Sequence, residues 1–332
     1  MCQMSEKLDL VIIGAGAAGL ACAIEAKRRS LKFCVIEKGT VVDSIYRFPV
    51  NMKFFTTGDL LEIGEIPLTA LSSKPRRSEV LSYYRRVALH YDLPIRDYEK
   101  VLSVIGSDGD FQIFSKDRFE VDHEICCRKV IVATGYFDHP NMMKIPGENM
   151  DKVHHYYKEA HPFFGKRVAV IGGKNSAVET ALDLYRKHVD VTLIYRGAVL
   201  GKHIKYWVLP DIENRIKNGE IKAYLSTEVL EIRRREVVLQ TQEKIVTLPN
   251  DFVLAMTGYH PDFDFLKKMG VQLESGTSIP LHNPETLETN VKGIYIAGAV
   301  VAGRMTNKIF IENGRFHGEQ IFRHWSQNYE TR

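Results

Sequence analysis

The sequence predicts an α/β protein of two domains, each built on a parallel sheet, with the second domain inserted into the first. Two observations predict it. An apolar strand, a glycine turn and a helix open the chain over residues 8–29, and the same order restarts over residues 167–187. Buried apolar runs then return at 251–255 and 293–297, so the C-terminal part completes the first domain. The length of 332 residues suits two domains at roughly 100–200 residues each.

Each element has a reason. Residues 8–13 are a short apolar run rich in β-branched side chains, which reads as a buried strand. Residues 14–19 form a turn, 20–29 have helical spacing, and 33–36 are a second apolar strand. Such a unit is the minimal dinucleotide-binding half. Residues 98–104, 111–115 and 118–121 alternate as antiparallel strands, and 129–133 is a buried strand. Pro140, Pro146 and Pro162 mark an irregular connection. The second unit runs through a strand at 167–171, a turn at Gly172-Gly173, a helix at 176–187 and a strand at 189–195. Residues 222–248 read as short strands, and 307–323 as a helix carrying Ile309, Phe316, Ile321 and Phe322. The expected boundaries are 1–160 and 250–332 for the first domain and 161–249 for the inserted one.

Composition excludes several classes. An apolar fraction of 45% and a charged fraction of 26% are ordinary for a globular chain. The net charge of +4 suits anionic small ligands without demanding nucleic acid, and Arg233-Arg234-Arg235 has no interleaved aromatics, so it reads as a solvated strand edge. The most apolar stretch, 8–24, is broken by glycines and shorter than the ~20 residues a membrane span needs. It lacks the basic flank and cleavage site of a signal peptide, so a cytoplasmic location is expected. Cys2, Cys22, Cys34, Cys126 and Cys127 are odd in number and contain no CxxC, which predicts reduced thiols, mostly buried. His90, His154, His155, His161, His203, His260, His282 and His317 show no metal-ligand spacing, so no metal is expected.

Two glycine motifs carry the chemistry. In Gly14-Ala15-Gly16-Ala17-Ala18-Gly19 the glycines allow a tight turn, close approach of a pyrophosphate and close helix–strand packing. The following helix presents unpaired N–H groups to the phosphates. Glu37, followed by Lys38, closes the second strand where a carboxylate accepts from ribose hydroxyls. In Gly172-Gly173-Lys174-Asn175-Ser176-Ala177 the third glycine is Ala177, and the next strand ends in Tyr195-Arg196 rather than an acid. Arg196 can pair with a 2′-phosphate that a carboxylate would repel, which points to NADPH. Lys202 and Lys205 either assist it or are plain loop lysines. Two nucleotide sites in one chain suggest electrons passing between two cofactors.

The residues also carry a resemblance. Ala133-Thr134-Gly135 resembles the strand-end motif near FAD in thioredoxin-reductase-like flavoproteins, and residues 289–298, ending in Gly298, resemble their third FAD motif. That motif usually continues with an Asp that contacts the ribityl chain; here the position is Ala299. Residues 51–57, 61–64, 133–136, 172–176, 256–262 and 309–318 are similar to the bacillithiol disulfide reductase family, over nearly the whole chain. The resemblance implies two Rossmann-like domains, the NADPH domain inserted into the FAD domain. It also implies reduction of a low-molecular-weight thiol disulfide, and a homo-oligomer.

The expected machinery departs from both groups. Thioredoxin reductases carry a CxxC before the NADPH-domain strand; this chain has His155-Tyr156-Tyr157-Lys158. The bacillithiol family usually has a cysteine where this chain has Ala18. Cys22 lies one helical turn later on the same face, and is either a redox thiol or a core residue. The Cys126-Cys127 pair precedes a buried strand. Phe54 and Phe55 either border the flavin or pack in the core. The helix expected near Asn307 would aim the N–H groups of Lys308 and Ile309 at the flavin, and His317 is a candidate acid. Two other readings stay open. One is a reductase of an electron carrier such as ferredoxin, which needs no protein cysteine. The other is a flavin monooxygenase, against which stands the missing FxGxxxH fingerprint.

Overall fold

The structure, a computed structural model, describes residues 7–201 and 204–329. It divides into two units: Met1–His139 with Tyr259–Arg332, and the inserted Pro140–Gly258. The observed boundaries lie outside the 161–249 expected for the insert. The reason is a strand pair: Val153–His154 runs parallel to Phe252–Ala255, and both belong to the sheet of the inserted unit.

The first unit holds β1 (Leu8–Ile13), β2 (Phe33–Ile36), β3 (Ile95–Arg96), β4 (Glu99–Ser107), β5 (Asp110–Asp117) and β6 (Asp122–Val132) in the order β3-β2-β1-β6-β5-β4. The strand Ile294–Ile296 also pairs with β6, in parallel. β6 joins two architectures. Its start pairs antiparallel with β5, and its end lies parallel to β1. The sequence predicts only residues 129–133 of this long strand, and a separate strand at 118–121. That segment is a turn instead, because the Asp117 carboxylate accepts from the Phe119 and Val121 N–H groups and Glu120 takes φ +62°.

The inserted unit repeats the plan. Its five-stranded parallel sheet has the order Lys222–Tyr224, Asp190–Ile194, Arg167–Ile171, Phe252–Ala255, Val153–His154. An antiparallel meander follows, formed by Glu228–Ile232, Glu236–Gln240 and Ile245–Pro249. Both parallel sheets are buried runs of Val, Ile and Leu, as expected when both faces are covered.

Two helical features were not read from the sequence. The helix Arg77–His90 buries Val80, Tyr83, Tyr84 and Val87, an i, i+3, i+4, i+7 spacing on one face. Its two tyrosines fasten the loop beside it. Tyr83 Oη accepts from Ile63 N at 2.8 Å and donates to Ile66 O at 2.8 Å, and Tyr84 Oη donates to Leu61 O at 2.8 Å. The expected helix at 307–323 is broken into Ile311–Gly314 and His317–Tyr329. Asn313 causes the late start: its Oδ1 accepts from Phe310 N and its Nδ2 donates to Lys308 O.

The C-terminal helix packs against the helix Ala17–Arg28 with no room to spare. A Cβ on Gly318 would lie 2.9 Å from the Ala21 carbonyl oxygen and 3.0 Å from Cys22 N. These are backbone atoms, so the helices themselves would have to part. Gly318→Ala is expected to cost about 1–3 kcal/mol, read as a lowered denaturant midpoint at unchanged m-value. An unchanged midpoint would show that the contact yields freely.

Candidate dinucleotide sites

The first glycine turn is shaped by backbone crowding. A Cβ on Gly14, which sits at φ +106°, would lie 2.6 Å from Ala133 O; a Cβ on Gly19 would lie 1.9 Å from Gly14 O. Neither residue tolerates a side chain. Gly16 has nothing within 4 Å of its Cβ position, so the turn opens above it. The helix Ala17–Arg28 has no side-chain cap, which leaves its first-turn amides, including Ala17 and Ala18, for an anion.

Glu37 is brought to this turn by β2. Its carboxylate is buried and accepts from Ala15 N at 2.7 Å and Gly39 N at 2.9 Å. Burial pushes its pKa up, and the two amides pull against that. Lys38 forms an ion pair with Asp138, which Arg47 also engages. Burial raises the Asp138 pKa, but the two cations outweigh it and hold the carboxyl below its usual value. Ala133, Thr134 and Gly135 follow β6, with Ala133 and Thr134 beside Gly14. On the far side Gly298, at φ +74°, faces Ala18: its Cβ would lie 2.8 Å from the Ala18 Cβ. The segments 14–19, 133–135 and 298–302 therefore meet at one place. Ala299 offers no polar side chain there.

The second turn is built by the same rules with different tolerances. Gly172 N donates to Ile194 O at 2.9 Å, as Gly14 N donates to Ile36 O at 2.8 Å. A Cβ on Gly172 would lie 2.5 Å from Met256 O, the counterpart of Ala133 O. Ala177 fits here because its methyl sits 3.0 Å from that same Cβ position rather than against a carbonyl. Where the first site has Glu37 against Ala15, the second has the Tyr195 ring 2.4 Å from a Cβ position on Gly173. Arg196 is exposed and makes no ion pair among the described residues. Asn175 Oδ1 accepts from Lys205 N at 2.9 Å, and Ser176 is exposed on the first turn of the helix. Lys205 Nζ pairs with Glu179 at 2.6 Å, so it is committed elsewhere; Lys202 lies outside the described residues. Sequence reading passed over Lys174. It caps the helix Asn175–Tyr185 at the position Gly16 holds in the first turn and is exposed. The signal was the lysine in place of the middle glycine.

Other candidates change meaning. Cys22 is completely buried, and burial, then Glu25, push its thiol up to about 12. It lies in the core where the helix Ala17–Arg28 meets the C-terminal helix, a setting that disfavours the thiolate that disulfide exchange needs. Burial likewise raises Cys34 and Cys127 to about 12. Cys126 is buried on the same strand as its neighbour Cys127, which is free. His317 is buried, its Nδ1 accepts from Gly298 N at 3.0 Å, and burial followed by His282 pushes its pKa down to about 4. At neutral pH it is uncharged and is no proton store. Lys308 N is taken by Met305 O at 2.9 Å, and Ile309 precedes a helix of only four residues, so neither sits at the start of a helix with a useful dipole. Phe54 is buried in the core, while Phe55 is half-buried and edge-on to Phe310 at 6.1 Å. Among the described residues no cluster of His, Cys, Asp or Glu can hold a metal, and no helix is long and apolar enough to cross a membrane.

The comparisons agree with two crowded glycine turns in one chain. Residues 11–298 match the family model for pyridine nucleotide-disulphide oxidoreductases. The chain belongs to that family. It is 45% identical over 312 residues to bacilliredoxin reductase Bdr of Bacillus subtilis (strain 168), covering 94% of this chain and 95% of the relative. Two solved structures are similar throughout. Bacillithiol disulfide reductase Bdr (YpdA) from Bacillus cereus has a TM-score of 0.95 at 41% identity, covering 97% of this chain and all of that one. The Staphylococcus aureus protein of the same title has 0.93 at 40%, covering 98% and 99%. This member of the family is an oxidoreductase of FAD and a nicotinamide nucleotide, with two Rossmann-like domains, one inserted in the other. The turns fit those cofactors: each offers a glycine cradle that a Cβ would fill, and a helix start without a side-chain cap.

A thiol with a pKa near 12 is ionised in roughly one molecule in ten thousand at pH 8. Cys22, Cys34 and Cys127 are therefore expected to resist an alkylating reagent in the native protein and to react fully once it is denatured, as read by intact mass. Rapid native labelling of Cys22 would return it to the list of redox thiols.

Proposed function

We propose that this chain uses NADPH, through FAD, to reduce a low-molecular-weight thiol disulfide of the bacillithiol type. The observation that carries the reading is the full-length likeness to two solved bacillithiol disulfide reductases at 40–41% identity. The net reaction consumes one NADPH, one proton and one disulfide and yields NADP⁺ and two thiols. The bound cofactors supply hydride transfer, and the protein supplies binding and orientation.

The chain's own residues divide the work. Gly14, Gly16 and Gly19 with the amides of Ala17 and Ala18 would hold the FAD pyrophosphate, and Glu37 its adenosine ribose. Thr134 and Gly135 would border the flavin side of that cradle. Gly172, Gly173, Asn175 and Ser176 would cradle the second nucleotide, with Lys174 against its pyrophosphate. Arg196 would meet the 2′-phosphate, and Tyr195 offers a ring beside Gly173 on which a base can stack. The three free thiols are buried and protonated, so disulfide reduction here runs without a relay through them. An NADPH-fed reductase of this kind belongs in a reducing cytoplasm.

The names of the relatives supply two acceptors, a small disulfide and the protein bacilliredoxin. Anaerobic NADPH oxidation by FAD-loaded enzyme separates them. Turnover with bacillithiol disulfide alone is the expected result. Turnover only when bacilliredoxin is added moves the substrate to the protein, and turnover only with ferredoxin sinks the disulfide reading.

Arg196→Ala is expected to raise KM for NADPH about ten- to hundred-fold and leave that for NADH nearly unchanged, the loss of one charge-assisted contact. Equal effects on both nucleotides would remove Arg196 from 2′-phosphate recognition.

A further inference from the structure

The loop after the strand Ile294–Ile296 closes the first nucleotide site, yet has nothing polar to hold it. Its residues are Gly298, Ala299, Val300, Val301 and Ala302. No side chain among them makes a hydrogen bond, so the loop is placed by backbone bonds and packing. Gly298 is the residue of this loop that meets the glycine turn. Its N–H donates to no carbonyl; its partner is His317 Nδ1 at 3.0 Å, from the start of the C-terminal helix.

Three glycines bring these pieces together. The Gly298 Cβ position lies 2.8 Å from the Ala18 methyl, in the first glycine turn. The Gly314 Cβ position lies 3.4 Å from Gly298 Cα, and the Gly318 Cβ position is 2.9 Å from Ala21 O. His317 sits between Gly314 and Gly318, so its backbone is held on one side against the loop at Gly298 and on the other against the helix that follows the turn. The ring is buried, and it is neutral at physiological pH because burial and His282 hold its pKa down to about 4. Since the amide is a donor, Nδ1 must be the bare nitrogen and the proton resides on Nε2.

We propose that His317 is a positioning residue for the flavin: its bare Nδ1 holds the Gly298 amide, and through it sets the apolar loop 298–302 against the glycine turn that receives FAD. The role differs from acid catalysis, because the ring gives no proton and touches no substrate. It rests on the FAD reading of the first site.

The test uses three variants of the full-length protein. In His317→Asn the side-chain oxygen falls near the place of Nδ1. In His317→Gln it falls one bond further out, near Nε2. His317→Leu fills the space with no acceptor. The readouts are FAD release, followed by the recovery of free-flavin fluorescence after dilution, and the midpoint potential of the bound flavin. A cooperative melt of each flavin-free variant serves as the folding control. Asn is expected to release FAD within about three-fold of wild type, and Gln and Leu to release it roughly ten-fold faster or more, as fits one buried hydrogen bond. The potential should shift in Gln and Leu and return in Asn. Wild-type retention by Leu would overturn the proposal. So would equal loss in all three variants, which would assign His317 to packing alone. A wild-type protein that binds no FAD would remove the underlying reading instead.

Discussion

Backbone meets backbone where the first strand ends, and much of the first unit is arranged around that contact. The Gly19 Cβ position is 1.9 Å from Gly14 O, and the Gly14 position 2.6 Å from Ala133 O. A side chain at either place would push the helix off the sheet or push β6 away from β1. The absence of two Cβ atoms therefore sets the entry angle of the helix Ala17–Arg28. That helix receives the C-terminal helix at Gly318 and the loop at Gly298, both again through missing side chains. A nucleotide cradle results because the same crowding leaves first-turn amides uncapped and pointing outwards.

The inserted unit shows which parts of this constraint are strict. Its Gly172 meets Met256 O as Gly14 meets Ala133 O, so the first glycine is kept. The third position relaxes to Ala177, since no carbonyl lies where its methyl goes. The middle position becomes Lys174. Electrostatics then diverge: the first site ends in a buried carboxylate fastened by two amides, the second in an aromatic ring and an exposed guanidinium. One frame thus carries opposite charges at its two strand ends, with the difference confined to side chains there and in the turn.

The cysteines follow a separate logic. In water a thiol ionises readily enough to attack a disulfide; within apolar packing the thiolate is unfavourable. Cys22, Cys34 and Cys127 all lie in the core, and burial is the first cause of each raised pKa. A disulfide reductase of this form leans on its cofactors, and the accuracy with which loops hold them matters more than any thiol of its own. The His317–Gly298 bond is of that kind.

The sequence by itself determined the two glycine turns, their flanking strands and helices, the insertion, and the contrast of Glu37 with Arg196. All but the insertion, which was read from the order of units along the chain, are local: strand periodicity, turn chemistry and a residue at a strand end are written within about 30 residues. The helix Arg77–His90 was legible too, in its 80-83-84-87 spacing, and was passed over. Only the tertiary structure decided the rest. Cys22 and His317 depend on what packs around them, because burial shifts a pKa and chain order does not report burial. The domain boundary depended on Val153–His154 pairing with Phe252–Ala255, a long-range contact with no local signature. The late start at Ile311 came from one Asn313 side chain folding back on Phe310 and Lys308, a competition with the helix that periodicity does not register.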